Sequence, residues 1–247
     1  MIGAIIRARS NSSRLPKKIL ATWRDLTLIE VMVNRLKKSE EIDSIIIATT
    51  DSPLDDNFCR LLGEREIPYY RGSEEDVLGR VLKTAQHFSV DTIVDLTGDC
   101  PLLDPALIDK AVSFFKKQHV DYIANTSIAA YYPRGQDVQI YKTTTLEKVN
   151  QLTDDANDRE HVSLYIYNNP HLFSLLPLPP LNFALKDNLR LTLDYPQDLE
   201  LIIKILDNLG LYCSLEEINQ FLISNPNVAA INSNLQTSYI NDVSRYS

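Results

Sequence analysis

Short runs of β-branched and aliphatic residues alternate, along the first half of the chain, with longer stretches whose apolar positions recur at helical spacing. The short runs predict buried strands and the longer stretches predict amphipathic helices. The predicted strands span residues 2–6, 44–49, 68–71, 92–97 and 121–125, and the predicted helices span residues 28–38, 54–64, 75–88 and 105–118. This order predicts an α/β fold, with a mostly parallel central sheet and helices on both faces.

The pattern becomes less regular after residue 126. Further strands are predicted over residues 136–141, 173–176 and 189–193, and further helices over residues 145–152, 159–168, 197–208 and 216–224. We expect residues 1–224 to form a single domain, in which residues 126–188 are a candidate arm or subdomain for acceptor specificity or a subunit contact. Residues 225–247 are rich in Asn and Ser and show no clear period, which predicts a loosely held tail.

Helix starts are marked by signals that do not depend on hydrophobic period. Capping boxes, in which a hydroxyl and a carboxylate satisfy free amide groups reciprocally, are predicted to begin at Thr27, Thr144 and Ser214. Prolines at residues 53, 105 and 196 occupy plausible first positions of helices. Both signals agree with the hydrophobic pattern.

Positive charge is concentrated at the start of the chain. Residues 1–20 hold five cations and no carboxylate, although the sequence of 247 residues has a formal net charge of −8. An acidic chain without a basic stripe is atypical of nucleic-acid-binding proteins, so we expect no nucleic-acid partner. The local cluster favours a small polyanion such as a triphosphate, the alternative being a solvated turn with incidental basic residues. The cations are Arg7, Arg9, Arg14, Lys17 and Lys18.

The cysteines and the apolar start of the chain indicate a cellular compartment. Cys59, Cys100 and Cys213 are far apart and lack CxxC or His-rich spacing, which predicts reduced, mostly buried thiols and no metal cluster. The apolar run over residues 2–6 is too short for a signal peptide or a membrane span. We therefore expect a cytoplasmic protein without a membrane partner.

The basic residues follow the first predicted strand directly. Phosphate sites in open α/β sheets lie at the carboxyl ends of strands, where backbone amides and cationic side chains converge. Arg14 and Lys18 are the leading phosphate ligands, because a guanidinium binds two oxygens at once and an ammonium is a compact charge. Neither GxxxxGK[ST] nor GxGxxG is present, which argues against ATPases, kinases and dinucleotide dehydrogenases. The candidate nucleotide-binding residues of this segment are Arg7, Ala8, Arg9, Ser10, Arg14 and Lys18.

Two carboxylates end later predicted strands, Asp99 within Thr-Gly-Asp-Cys-Pro and Asp194 within Leu-Asp-Tyr-Pro. Each is either a ligand of Mg²⁺, which needs only one or two protein carboxylates beside phosphates and water, or a turn or helix-cap residue. The position of Asp99 beside the basic loop favours the metal, whereas for Asp194 both interpretations stay open. Asp51 is a weaker candidate, because Pro53 follows it closely and indicates a helix start.

Seven motifs occur in a fixed order: RARSNSSRLPKK, ATTD, RGSEEDVLGR, TGDCPLLD, YPRGQDV, REHV and RLTLDYPQDL. Together they resemble the SpsF-type spore-coat polysaccharide cytidylyltransferases and, more distantly, the CMP-Kdo synthetases, over roughly residues 1–206. The resemblance implies a Rossmann-like nucleotidyltransferase fold and a homodimer. It also implies an enzyme that uses Mg²⁺ to transfer CMP from CTP to an acidic sugar or related polar acid, with release of pyrophosphate.

The resemblance further implies roles for individual residues. Arg14 and Lys18 would bind the triphosphate, and Asp99 and Asp194 would hold Mg²⁺. The base and substrate pocket would be shaped by Gly72, Ser73, Asp76 and Arg80, and the acceptor would face Arg134, Asp137 and His161. We further hypothesise that Arg134 and Arg159 form a basic pocket for a carboxylate or phosphate of the acceptor. Asp137 and His161 are candidate bases for an acceptor hydroxyl, although a lone His beside an Arg-Glu pair is more often a structural hydrogen-bonding residue.

Two positions depart from the family pattern RxGSxRLPGK, since Asn11 and Lys17 replace its glycines. Asn tolerates left-handed backbone angles, but Lys17 would carry about 1–2 kcal/mol of strain there, so we expect a reshaped loop or a use for the added charge. The alternative functions are a sugar-1-phosphate nucleotidylyltransferase that uses another nucleotide, a metal-dependent glycosyltransferase, and a catalytically silent nucleotide-binding relative.

Overall fold

The computed structural model describes residues 1–11, 14–126 and 132–235. The strands are β1 (Ile2–Arg7), β2 (Thr22–Trp23), β3 (Leu26–Thr27), β4 (Ser44–Thr50), β5 (Tyr69–Gly72), β6 (Thr92–Thr97), β7 (Tyr122–Ala124), β8 (Gln139–Lys142) and β9 (Leu175–Pro177). The helices are α1 (Leu28–Leu36), α2 (Asp56–Glu64), α3 (Val77–His87), α4 (Pro105–Lys117), α5 (Thr143–Leu152), α6 (Ala156–His161), α7 (Leu164–Asn168), α8 (Pro196–Leu209), α9 (Leu215–Ser224) and α10 (Pro226–Ala229). Two 3₁₀ turns, Lys18–Leu20 and Pro53–Asp55, precede β2 and α2.

The central sheet has the strand order β5-β4-β1-β6-β8-β7-β9. Strand β1 pairs in parallel with β4 on one side and with β6 on the other, whereas β8 runs antiparallel to β6 and β7. The predicted α/β fold with a mostly parallel sheet is therefore confirmed. Because the connections leave β1 toward opposite sides, a crevice opens at the carboxyl ends of β1 and β6.

Alternating residues of β1 direct its side chains into two apolar clusters on the two faces of the sheet. Ala4 and Ile6 pack with α1, α2 and α4, whereas Ile5 packs with α3 and α5. A third cluster joins α1 to α8 and α9 beyond the edge of the crevice. Cys59, Cys100 and Cys213 are free and buried, as their spacing predicted.

Most of the predicted helix starts are confirmed. Thr27 and Ser214 form the two capping boxes at α1 and α9, and prolines occupy the first turns of α4 and α8. The capping box predicted at Thr144 is wrong, because α5 already begins at Thr143. The carboxylate of Glu147, which would have completed that box, accepts a hydrogen bond from Gln86 instead.

The chain from residue 132 to 188 contributes directly to the central sheet and its covering helices. Strand β8 inserts between β6 and β7, and α5 packs on α3. The helix predicted over residues 159–168 is divided into α6 and α7 at Val162, which has φ 55° and ψ −65°. The run 189–193 forms only an isolated bridge between Arg134 and Arg190, because it crosses the carboxyl ends of the strands rather than joining the sheet.

The first part of the predicted tail packs against the domain. Residues 226–229 form α10, and Val228 and Ile231 contact the third apolar cluster. Asn232 is only 3% exposed. For residues 225–235 the expectation of a loose tail is thus corrected, since burial of these side chains outweighs their polar composition; residues 236–247 lie outside the described residues. No helix within the described ranges is long and apolar enough to cross a membrane.

Candidate functional site

A cleft of about 800 Å³ lies at the carboxyl ends of β1 and β6. Its walls come from the loop after β1, the segment between β5 and α3, the turn after β6, and α6. The two central loops touch, because the Gly98 amide donates to the Arg7 carbonyl at 2.9 Å. A Cβ on Gly98 would lie 2.8 Å from that of Ala8, so the close approach that this glycine permits is to the neighbouring loop.

Asp55 anchors the basic loop from below. One of its carboxylate oxygens accepts the backbone amide of Ser10 at 2.7 Å and the Ser10 hydroxyl at 2.6 Å, and the other accepts from Thr49 and Thr50. Burial alone would raise the pKa of Asp55, but these hydrogen bonds outweigh it and hold the pKa below its usual value. Sequence reasoning considered Asp51 and missed Asp55, which no motif distinguishes from its neighbour Asp56.

Lys17 keeps the turn of the basic loop by adopting the left-handed conformation itself, with φ 57° and ψ 25°. Its amide donates to the Ser10 carbonyl at 3.1 Å, which closes the loop over the anchored serine. The chain therefore carries the backbone strain of a left-handed lysine, which is about 1–2 kcal/mol. The 3₁₀ turn that starts at Lys18 follows immediately.

The Lys18 ammonium joins the two aspartates that the sequence singled out. Its Nζ lies 3.0 Å from a carboxylate oxygen of Asp99 and 2.9 Å from one of Asp194. Burial lowers the pKa of Lys18, but the two carboxylates outweigh it and hold that pKa above its usual value. Burial likewise raises the pKa of Asp194, and Lys18 leads the cations that bring it below its usual value. Lys18 and Asp194 are therefore both charged at neutral pH.

Asp194 is 1% exposed and lies among cations. Arg14 reaches the same oxygen as Lys18 at 2.9 Å, while Arg190 and Arg134 reach the other at 3.0 and 3.4 Å. The residues before Asp194 fix its place, because the Leu193 amide donates to the Asp99 carbonyl at 2.8 Å. Such a buried carboxylate is tolerated only because it is multiply paired.

The open question of whether Asp194 caps the following helix is answered by its neighbour Asp198. The Asp198 carboxylate accepts the backbone amides of Asp194 and Tyr195 at 3.0 Å each, at the start of α8. Asp198 therefore caps helix α8, and the Asp194 carboxylate pairs with Arg14 and Lys18 instead.

The Asp99–Asp194 pair fits a hard divalent cation such as Mg²⁺. Each carboxylate has an oxygen within 3.0 Å of the same nitrogen, so both face one small volume that already accommodates a positive charge. No group of three or more His, Cys, Asp or Glu residues converges in the described ranges. A cation held here would therefore take its remaining ligands from substrate phosphates and water, the usual situation for Mg²⁺.

Arg80 is a buried cation on the wall of the cleft. It is 5% exposed, its Nη1 donates to the Ser73 carbonyl, and its Nε has no hydrogen-bond partner among the described residues. Burial, together with the nearby charges of Arg7 and Arg9, lowers the pKa of Arg80 to about 10. A guanidinium that lines the cleft and is incompletely hydrogen-bonded favours an electron-rich ligand group there.

The other predicted nucleotide contacts divide between the cleft and its support. Arg7 donates to Asp95 at 2.7 Å while lining the cleft, and Arg9 pairs with Glu74 at 2.9 Å on its rim. Gly72 packs against the Arg80 side chain: a Cβ at position 72 would lie 3.1 Å from the Cγ of Arg80.

Asp76 and Arg159 form a bidentate ion pair, with both nitrogen–oxygen distances at 2.9 Å. Asp76 also caps α3 through the Gly79 amide. The pair ties α6 to α3 and engages both charged groups. Arg134, by contrast, contacts Asp194, so the two arginines of the hypothesised basic pocket have different carboxylate partners.

Two candidate acceptor residues remain, one beside the carboxylates and one on the cleft wall. Asp137 accepts from the Gly135 amide at 3.3 Å, and burial, reinforced by the charge of Asp99, raises its pKa to about 6. His161 is exposed and lines the cleft at the end of α6. The next residue, Val162, has a positive φ that β-branched residues avoid, and the Ser163 amide closes the turn onto the His161 carbonyl at 2.6 Å. This strained turn directs the end of α6 toward the cleft.

The geometry agrees with known proteins. A cytidylyltransferase family model matches residues 3–225. An uncharacterized protein of Methanocaldococcus jannaschii is 36% identical over 95% of this chain and 96% of its own length. The spore coat polysaccharide biosynthesis protein SpsF of Bacillus subtilis is 31% identical over 91% of this chain and 95% of its own length. A solved cytidylyltransferase from Leptospira borgpetersenii has a TM-score of 0.85 at 29% identity, and the match covers 92% of this chain and 95% of that one.

These matches span both halves of the cleft, from the basic loop to the segment that carries Asp194. They confirm the resemblance drawn from the seven motifs, and they remove the glycosyltransferase alternative. The chain belongs to the cytidylyltransferase family and is a CTP-dependent nucleotidyltransferase.

Proposed function

We propose that the protein transfers CMP from CTP to a small acidic acceptor, such as an acidic sugar, and releases pyrophosphate. The observation that carries this proposal is the meeting of Lys18 with Asp99 and Asp194 beside a cleft with cationic walls. A triphosphate offers anionic oxygens to Arg14 and Lys18, and the carboxylate pair offers hard oxygen ligands for Mg²⁺.

In this reaction an acceptor oxygen attacks the α-phosphorus of CTP. A bond forms between them while the bond from the α-phosphorus to the oxygen bridging to the β-phosphate breaks, and pyrophosphate leaves with that electron pair. Mg²⁺, held by Asp99 and Asp194, would neutralise charge on the phosphates. Arg14 and Lys18 bind the triphosphate and stabilise the departing pyrophosphate by fixed charges that need no reorganisation.

The nucleoside end of CTP is assigned to the wall between β5 and α3. Arg80 offers its guanidinium charge there, and Asp76 with Arg159 supports the wall rather than contacting the ligand. The acceptor is assigned to the side of Arg134, and His161 faces the cleft from α6. His161 is the better placed of the two candidate bases for direct contact, because it lines the cleft, whereas Asp137 lies against Gly135 and Cys100.

The proposal includes a place in the cell. The name of the Bacillus subtilis relative supports a role in making surface polysaccharide or glycoconjugate.

We further propose a cytoplasmic homodimer with a contact in residues 132–188, a region in which Leu152 and Leu172 are exposed. Light scattering of Leu152→Lys and wild-type protein tests that contact, and equal masses for the two would contradict it.

Pyrophosphate release tests the proposed function. The assay uses Mg²⁺ with each of CTP, UTP, ATP, GTP and TTP over a panel of acidic sugars, phosphorylated acids and sugar 1-phosphates. We expect release only with CTP and an acidic acceptor. Release with another nucleotide and a sugar 1-phosphate would support the alternative nucleotidylyltransferase, and CTP binding without release would indicate a silent relative.

A further inference from the structure

The orientation of Asp194 depends on a buried ion pair behind it. Arg190 is 2% exposed, and its Nη2 is shared between an oxygen of Asp194 at 3.0 Å and an oxygen of Asp198 at 2.9 Å. Its Nε binds the second oxygen of Asp198 at 2.9 Å. Arg190 thus turns one Asp194 oxygen inward, which leaves the other to Arg14 and Lys18, two residues that line the cleft.

Asp198 is itself fixed by donors on both oxygens. The amides of Asp194 and Tyr195 occupy one oxygen, and the side-chain amide of Asn232 donates to the other at 2.8 Å. The same Asn232 nitrogen donates to the Arg190 carbonyl at 3.2 Å. A continuous series of contacts therefore runs from Asn232 through Asp198 and Arg190 to Asp194.

Asn232 belongs to the segment after α10, which polar composition marked as a tail. Its amide is a neutral donor, so it satisfies Asp198 without competing for Arg190. A carboxylate at this position would repel Asp198, and an aliphatic side chain would leave that oxygen of a fully buried carboxylate with Arg190 Nε as its one remaining side-chain donor among the described residues.

We propose that Asn232 is a positioning residue of the transferase site. The C-terminal segment closes over the Arg190–Asp198 pair, and through it presents Asp194 to the cation and phosphates in the cleft. This inference rests on the proposed function, because it assigns Asp194 to the metal. Residues that orient metal ligands from behind typically change metal affinity or activity by about 10–100-fold when replaced.

The test compares Asn232→Ala with Asn219→Ala. Asn219 is a matched control, since it is similarly buried and its hydrogen bonds lead away from the cleft: it donates to the Ala184 carbonyl at 3.0 Å and accepts the Lys186 amide at 2.8 Å. Mn²⁺ binding in the presence of CTP is measured by electron paramagnetic resonance, below the melting temperature of both variants. The Mg²⁺ concentration for half-maximal activity and the KM for CTP are measured alongside.

We expect both variants to melt earlier, but only Asn232→Ala to weaken Mn²⁺ binding and to raise the half-maximal Mg²⁺ concentration, by about tenfold. The KM for CTP at saturating Mg²⁺ should change little. Asn232→Asp, which keeps the side-chain volume but places a carboxylate against Asp198, should show a larger metal defect.

Equal metal constants in Asn232→Ala and Asn219→Ala would overturn the positioning role while leaving the proposed function intact. Wild-type protein that binds no Mn²⁺ with CTP and releases no pyrophosphate would overturn the proposed function, and this inference with it.

Discussion

Asp55 holds Ser10 by two hydrogen bonds to one carboxylate oxygen, from the backbone amide at 2.7 Å and from the hydroxyl at 2.6 Å. This contact fastens the loop after β1 to the 3₁₀ turn after β4. The cations that follow Ser10 therefore start from a fixed point of the backbone, which limits the conformational entropy that they lose when they bind a phosphate.

Replacing Asp55 with Asn should loosen the attachment of Ser10 and of the loop after β1. One acceptor oxygen becomes a donor that faces other donors, so we expect the free energy of unfolding to fall by about 2–3 kcal/mol and the KM for CTP to rise. Urea unfolding and initial rates measure the two effects. The control is Asp56→Asn, since Asp56 is exposed and its ion pair with Arg71 lies at the surface. Equal losses in both variants would contradict the anchoring role.

Asp99→Asn should abolish turnover with little change in stability. Asp99 is partly exposed and, among the described residues, forms an ion pair with Lys18 alone, so the fold depends on it weakly. Loss of a metal carboxylate removes several kcal/mol of transition-state stabilisation, which corresponds to a drop of roughly 1000-fold in kcat. Asp51→Asn should retain full activity, because Asp51 is exposed outside the cleft lining. An active Asp99→Asn variant would remove Asp99 from the site.

Arg134→Ala should raise the KM for the acceptor about tenfold or more and leave the KM for CTP unchanged. Arg134 lies on the Asp194 side of the carboxylate pair, away from the wall assigned to the nucleoside. Arg159→Ala is the contrasting variant. This substitution breaks the ion pair with Asp76, so it should lower the melting temperature of the protein, whereas Arg134→Ala should change mainly the KM for the acceptor. An unchanged acceptor KM in Arg134→Ala would count against this assignment.

Asp137 should make the free energy of unfolding depend on pH in metal-free buffer. Burial, with a contribution from Asp99, raises its pKa from 3.8 to about 6. Between these two values the folded state keeps a proton that the unfolded state has lost, so this residue makes the protein less stable as pH rises through that window. Asp137→Asn should remove the effect, worth up to about 3 kcal/mol, so its stability advantage over wild type should grow from pH 4 to pH 7. An advantage independent of pH would contradict the raised pKa.

The architecture was accessible from the sequence because its signals are local. Apolar runs with β-branched residues mark β1, β4 and β6, and the capping boxes at Thr27 and Ser214 mark two helix starts within a residue. Charge clustering identified Lys18, and strand ends identified Asp99. These features need only chain-local periodicity and the rule that parallel strands end at one edge.

The remaining features depend on contacts distant in sequence. The run 189–193 has strand composition, but its amides donate to Asp99 and Arg134, so it crosses the strand ends instead of extending the sheet. Asp55 and Asn232 look like ordinary polar surface residues until the fold buries them against Ser10 and Asp198. Asp76 and Arg159 neutralise each other across 83 positions, which no local pattern indicates.

The most direct test of the account is pyrophosphate release from CTP by wild-type protein and by Asp99→Asn, with Mg²⁺ and an acidic sugar acceptor. We expect release by wild type that disappears when EDTA removes Mg²⁺, when UTP replaces CTP, or when Asp99 is replaced. Release that continues at the wild-type rate in Asp99→Asn, or without a divalent cation, would contradict the claim that the carboxylate pair and the basic loop act on one bound nucleotide.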